Sequence, residues 1–308
     1  MKRPSWLGPL IAVVITFAIF GALTPDIFLR GPALLMMARQ TVIVAICALG
    51  MTMIIVTGGI DLSTGSLVAL ATVLLARFLN TMSPVPAVLL TLIICTAIGS
   101  VVGVLVGRFR MLPFIVTLGA MSILRGTAKG LAHEQKIEAK TQGLENLMSA
   151  SISAPAIWIT VGLTIAVALL LGYTRFGRHV FAVGSNEAAA RLCGIDPVRV
   201  KVLVYALSSL LAGIAGVMQL SNLTLGDPTD SVGLELEVIA AVVIGGASLG
   251  GGDGSIIGTV LGVIFAVVPS ASRYSGRCAG TPSGLSQLKP SDSAGRSVVT
   301  ADALRGST

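Results

Sequence analysis

Charged residues are scarce in this sequence. Only 11% of its 308 residues are Asp, Glu, Lys or Arg, whereas 54% are hydrophobic and the mean hydropathy is +0.92. A domain that folds in water carries about 25% charged residues, so this chain has too little charge to coat a water-facing surface. The deficit excludes an ordinary soluble domain and predicts a protein embedded in a membrane.

Cysteine and aromatic residues are also few. Four cysteines in 308 residues exclude a disulfide scaffold, and no Cys-x-x-Cys or His/Cys cluster supports a metal or redox site. Aromatic residues make up 5% of the chain, too few for the girdles of an outer-membrane barrel, so helices are favoured. The net charge of +7 could indicate a nucleic-acid partner. Because the basic residues lie between apolar runs, we expect no nucleic acid and assign them to cytoplasmic loops.

Apolar runs fill most of the chain, and a membrane span needs about 20 residues. Nine runs are candidate spans: Leu7–Leu23, Ala33–Val56, Leu62–Leu79, Ala87–Val106, Leu112–Leu124, Ala156–Gly172, Val202–Leu220, Leu234–Leu249 and Ser255–Val268. Basic residues concentrate after the fourth and sixth runs, which predicts a cytoplasmic N-terminus. The expected fold class is an all-α, polytopic transmembrane bundle of about nine spans, with a cytoplasmic loop at residues 173–201.

The C-terminal part has a different composition. Hydropathy falls near Pro269, and residues 270–308 are rich in Ser, Gly and Arg with no apolar periodicity. We therefore expect a transmembrane domain at residues 1–269 and a polar, disordered tail at 270–308. Nine spans would place this basic tail outside, against the positive-inside rule, whereas a tenth helix would return it to the cytoplasm.

The segment Gly184–Ile195 predicts a short capped helix between two spans. Asn186 is a good N-cap, Glu187 suits the positive end of a helix, and Gly194 suits a left-handed stop. A helix of about two turns is unstable alone. It is either a docking element for a partner or an amphipathic helix lying on the membrane, and the local pattern does not separate these readings.

Two further blocks, Thr57–Ser66 and Val243–Ser255, combine glycines with polar residues. Asp61 lies between two apolar runs, and it either caps a helix beginning at Leu62 or lines a pathway. The segments Val56–Leu75 and Val243–Gly262 align without gaps with eight identities, which indicates an internal repeat or merely a shared composition. The candidate residues of a translocation or structural motif are Gly58, Gly59, Asp61, Ser63, Gly65, Gly245 and Gly246.

Together the three blocks resemble the permeases of ABC-type sugar importers of the ribose/arabinose/xylose class. By this resemblance the ATPase-coupling residues are Asn186, Glu187, Ala188, Ala189, Ala190, Arg191 and Gly194, with Ala188 where the family often has a second acid. The resemblance implies a subunit of about ten helices. The tenth would follow Phe265, where this sequence turns hydrophilic, as a frameshifted or truncated gene would.

The resemblance also implies the partners and the energy source. A second permease subunit (homo- or heterodimer), two cytoplasmic ATPase subunits or one fused ATPase, an external sugar-binding protein and membrane lipid are expected. The chain has no Walker A motif, so it is not expected to be an enzyme or to bind a cofactor; ATP and Mg would be used by the partner ATPase. The expected function is import of a ribose-type monosaccharide across the cytoplasmic (inner) membrane. The alternatives are a branched-chain amino-acid ABC permease and an ion-gradient-driven secondary transporter.

Overall fold

The computed structural model describes residues 7–23, 31–148 and 154–279. Within these ranges the chain is almost entirely helical, which confirms the all-α bundle. The helices are α1 (Leu7–Leu23), α2 (Gly31–Val56), α3 (Thr64–Leu79), α4 (Pro84–Gly107), α5 (Pro113–Ala132), α6 (Pro155–Tyr173), α7 (Arg175–Ser185), α8 (Glu187–Leu192), α9 (Pro197–Leu223), α10 (Leu234–Ile244) and α11 (Ile256–Ala279). A 3-10 turn, Leu144–Met148, and two short strands, β1 (Ile137–Glu138) and β2 (Leu225–Gly226), complete the described elements.

Four described helices, α2, α4, α6 and α9, are long and apolar enough to cross a membrane. α2 forms the centre of the bundle, because its side chains from Val42 to Val56 are buried on every side. α9 packs along α4, where Gly99 and Gly103 allow the two backbones to approach closely. α6 instead exposes apolar side chains such as Ile165 and Leu169, as expected of a helix that faces lipid.

Several helices do not have the bounds of the apolar runs. The run Leu112–Leu124 becomes α5 and continues to Ala132, because an arginine within a helix lowers the hydropathy without interrupting the backbone. The run Leu234–Leu249 stops as a helix at Ile244, where a glycine turn ends it. The last run continues as α11 to Ala279, past the predicted domain boundary at residue 269, because a fall in hydropathy does not by itself end a helix.

Some sequence-based expectations lie outside the described residues. These are the basic N-terminal residues before α1, the connection at residues 24–30, and residues 280–308, which make up most of the tail expected to be disordered.

The connections gather at two opposite ends of the bundle. At one end β1 pairs antiparallel with β2, and the Asn80 side chain donates a 2.9 Å hydrogen bond to the Glu138 carbonyl. At the other end the Gly252 amide donates a 2.9 Å hydrogen bond to the Val56 carbonyl. Successive long helices therefore run in alternating directions, as the predicted crossings require.

α10 begins inside the bundle rather than at either end. Gly226 lies against the third turn of α3, 2.8 Å from the Thr72 carbonyl at its Cβ position. Five residues later, the Ser231 carbonyl lies against Gly65 in the first turn of α3. The chain from β2 to α10 thus returns along α3 by about 10 Å, the rise of seven helical residues. α10 has only 11 residues and starts level with the first turn of α3, so we call it a half-length helix.

Candidate functional site

The short helix α8 has the caps that the sequence predicts. The Asn186 side-chain oxygen accepts a 3.0 Å hydrogen bond from the Ala189 amide. At the other end Gly194 has a φ of +83°, and the amides of Gly194 and Ile195 donate to the carbonyls of Arg191 and Ala190. Both helix ends are therefore satisfied locally, so a helix of only six residues can keep its shape.

Glu187 joins α8 to the start of α9. Its two carboxylate oxygens accept hydrogen bonds from Arg191 at 2.7 Å and from Lys201 at 2.6 Å. The Lys201 hydrogen bond, with a smaller contribution from Arg191, holds the pKa of Glu187 below its usual range. We call these three side chains the Glu187 clasp. Lys201 was not singled out from the sequence, because it lies 14 residues away on the next helix.

One face of α8 is not covered by any of the residues that the structure describes. Ala188, Ala189 and Leu192 are exposed, and Leu192 has 90% of its surface accessible, whereas Ala190 is buried. An apolar side chain so exposed at a short, capped helix suits contact with another protein. The predicted coupling residues thus divide into outward-facing positions and inward-facing ones.

α7, which precedes α8, was not predicted. Thr174 caps it by accepting a 3.2 Å hydrogen bond from the Gly177 amide, and Val180 and Val183 are buried in the bundle. The sequence did contain a signal for this helix, because apolar residues recur at three-residue spacing between charged ones. A search for long apolar spans overlooks such a short amphipathic helix. α7 therefore links the end of α6 to α8 along the bundle surface.

Three sequence blocks meet at the end of α2, in what we call the glycine junction. The Val56 carbonyl accepts the hydrogen bond from Gly252 and also lies against Gly184, in the last turn of α7. Gly251 packs on Gly58, 3.0 Å from its amide nitrogen at the Cβ position. Side chains larger than hydrogen at residues 184 or 251 would strike backbone atoms, so the junction requires glycine.

Asp61 is buried but does not cap a helix at Leu62. α3 begins at Thr64, with Ser63 as the N-cap residue. The Asp61 carboxylate instead accepts hydrogen bonds from the Ser63 amide at 2.8 Å and the Ser63 hydroxyl at 2.6 Å. The turn ending α2 displaces the helix start by two residues, so the cap prediction is wrong. Asp61 and Ser63 fix the loop before α3, beside Gly59, which contacts the Tyr205 hydroxyl.

The remaining predicted glycines have different structural roles. Gly65 provides the space in which Glu235 lies, and Gly245 packs backbone to backbone on Gly258 of α11. Gly246 has a φ of +93° and ends α10. The residues of the candidate translocation or structural motif are thus distributed over two helix stops, the loop before α3 and two close helix contacts.

The two aligned segments share a glycine helix stop, but in a different register from the gapless alignment. The amides of Gly58 and Gly246 each donate to the carbonyl three residues earlier, and both glycines have positive φ. Gly58 therefore corresponds to Gly246 and not to Gly245, as the gapless alignment had it. Past the stop the alignment fails, because Gly65 is helical whereas its partner Gly252 lies in a loop with a φ of +80°.

Comparison with known proteins gives a consistent result. The family described as the permease component of the branched-chain amino acid transport system matches residues 33–282. The ribose import permease of Escherichia coli K12 is 39% identical over 273 residues, which cover 85% of this chain and 84% of that protein. The ribose import permease of Bacillus subtilis is 38% identical, covering 84% and 82%. The L-arabinose ABC transporter permease of Azospirillum brasilense is 35% identical, covering 84% and 77%. No solved structure matches the chain.

Proposed function

The chain belongs to the permease-component family named for the branched-chain amino acid transport system, and from this membership we propose that it is the membrane subunit of an ATP-driven importer of a ribose-type monosaccharide. The family is one of multi-pass transport subunits. The proposed substrate class follows from the two ribose permeases at 38–39% identity and the arabinose permease at 35%.

We assign ATPase docking to α8. The observation that supports this assignment is the exposed face of α8, which lies beside the Glu187 clasp. A partner that binds Leu192 can move α8 as a rigid unit, because both ends of α8 are capped. The clasp passes that movement to α9, and α7 passes it to the glycine junction at the end of α2. ATP and Mg²⁺ would act in the partner ATPase, and this chain would convert the partner's movement into alternating access.

The proposed complex contains a second permease subunit, two ATPase subunits or one fused ATPase, and an external sugar-binding protein. In this arrangement α7 and α8 lie in the cytoplasm, which also places the N-terminus there. The orientation has a direct test, because Cys193 beside α8 is exposed while Cys47 and Cys95 are buried. In a Cys278→Ser variant, a membrane-impermeant maleimide should label inside-out vesicles and not right-side-out ones. The opposite labelling would invert the proposed topology.

Reconstituted uptake tests the transport function. Proteoliposomes with the chain, its ATPase and its binding protein should accumulate ribose or arabinose only when ATP is present, and should do so after ion gradients are collapsed. Leucine uptake under the same conditions would favour the amino-acid importer for which the matching family is named. Uptake by the chain alone, driven by a proton or sodium gradient, would overturn the ATP-driven proposal.

A further inference from the structure

A cluster of polar side chains surrounds the point where the chain re-enters the bundle before α10. Arg125 of α5 donates hydrogen bonds from Nη1 to the carbonyls of Pro228 at 3.1 Å and Asp230 at 2.6 Å. Gln219 of α9 donates a 2.7 Å hydrogen bond to the Asp230 carboxylate, which also accepts one from Ser231 at 2.8 Å. Side chains from two long helices thus converge on the re-entrant segment.

Glu235, in the first turn of α10, completes this cluster. Its carboxylate lies against Gly65, and it acts electrostatically on Arg125 together with Asp230. A carboxylate inside a membrane bundle is expensive to maintain, and such residues commonly mark a substrate pathway. Half-length helices that begin inside the membrane are likewise common at the binding sites of transporters.

The cluster retains unused hydrogen-bonding capacity. Within the described residues, the Arg125 Nε and Nη2 atoms donate to no partner, and the Gln219 side-chain oxygen and Asp230 Oδ1 accept from none. The Glu235 Oε2 atom is buried and also has no hydrogen-bond partner. An unpaired buried carboxylate oxygen costs free energy unless a ligand or water satisfies it.

The cluster is also reachable. Arg125, Gln219, Asp230 and Glu235 are all only partly buried. Next to Arg125 on the same helix, Ser122 and Gly126 are exposed, and a Cβ at Gly126 would meet no other atom within 4 Å. On this side of Arg125 the surface of α5 is formed by the small residues Ser122 and Gly126, with the exposed Ile123 between them.

We propose that Arg125, Gln219, Asp230 and Glu235 form a transient binding site for the hydroxyl groups of the sugar during its passage, a role that rests on the proposed function. Each sugar hydroxyl both donates and accepts, which the spare carboxylate oxygens and guanidinium nitrogens complement. The same site disfavours a substrate carboxylate, because two carboxylates, Asp230 and Glu235, outnumber its one guanidinium. Acidic residues also occupy the first turn of α10, where a substrate carboxylate would otherwise bind the helix N-terminus.

Uptake kinetics in the assembled transporter test this site. Glu235→Gln and Arg125→Lys should each raise the sugar concentration for half-maximal uptake by roughly tenfold or more, the effect of losing a charge-assisted hydrogen bond. They should also reduce the discrimination between ribose and 2-deoxyribose, which a merely structural role would not change. Glu134→Gln is the matched control, because Glu134 is an exposed carboxylate in a loop outside the cluster.

A second measurement covers variants that fail to fold. Val232 is 74% exposed and lies next to Ser231 at the cluster, so alkylation of Val232→Cys reports occupancy. Millimolar ribose should slow this alkylation, and leucine should not. If wild-type complexes import ribose but neither the kinetic variants nor the protection differs from the controls, the site is refuted. If wild-type complexes import no sugar at all, the proposed function fails instead.

Discussion

Replacement of Gly184 by alanine tests the glycine junction most directly. A Cβ at this position would collide with the Val56 carbonyl oxygen and would lie 2.8 Å from the Gly252 amide nitrogen. These two atoms are themselves joined by a 2.9 Å hydrogen bond. The added methyl group therefore forces two backbone segments apart, and no flexible side chain can yield in their place.

The magnitude follows from three contributions. Over-packing of a close contact costs about 1–3 kcal/mol, and loss of one backbone hydrogen bond costs about 1 kcal/mol. The higher helix propensity of alanine in α7 returns at most about 1 kcal/mol. We expect the Gly184→Ala variant to be less stable by about 2 kcal/mol, which for a chain of 308 residues corresponds to a fall in Tm of roughly 3 °C.

Thermal unfolding of the purified protein in detergent measures this change. Gly162→Ala is the matched control, because Gly162 lies within α6 and a Cβ there would meet no atom within 4 Å. That control should keep or slightly raise Tm. Equal Tm values for the two alanine variants would refute the close contact at the junction.

Three further predictions concern α8. The Lys201 hydrogen bond lowers the pKa of Glu187, so the clasp should stabilise α8 fully above the unfolded-state pKa of about 4.3. This stabilisation should be lost as the pH falls through the lower pKa of the folded state. Hydrogen exchange of the α8 amides should show this acid dependence in the wild type and not in Glu187→Gln. A cysteine at exposed Leu192 should crosslink to the ATPase in the assembled complex, whereas one at buried Ala190 should not; crosslinking of the buried position alone would contradict the assigned docking face. Because Gly194 has a positive φ, Gly194→Ala should destabilise α8 by about 1–2 kcal/mol, and Gly194→Asn should destabilise it less. The helical signal in circular dichroism of a peptide of residues 173–201 bound to the ATPase measures this difference. Equal effects of the two substitutions would exclude a requirement for the left-handed conformation.

The sequence-based predictions were accurate where the interactions join residues that are close together in the sequence. The ends of α8 could be predicted, because Asn186 and Gly194 act on backbone groups within a few residues of themselves. Of the two roles considered for Asp61, the helix cap was wrong, since a turn at the end of α2 shifts the start of the next helix to Thr64. Alternation of apolar and polar segments was enough to predict an all-α membrane bundle.

The cluster at α10 could not be found in this way. Arg125 and Asp230 are 105 residues apart, and only the return of the chain along α3 brings them together. In the sequence, Arg125 directly follows the run Leu112–Leu124, and Asp230 lies in the connection between the runs Val202–Leu220 and Leu234–Leu249. Their partnership depends on the depth at which α10 starts, which hydropathy does not report.

The half-length helix α10 has a consequence for how the protein is made. Its 11 residues extend about 16 Å, roughly half the thickness of the hydrocarbon layer, so it is too short to be released into lipid as an independent span. The preceding backbone is non-helical and needs protein neighbours to satisfy its polar groups. Those neighbours, α3, α5 and α9, are synthesised earlier. Biogenesis therefore follows a fixed order, in which α10 and α11 leave the insertion machinery as a hairpin onto a surface that the earlier helices have already assembled.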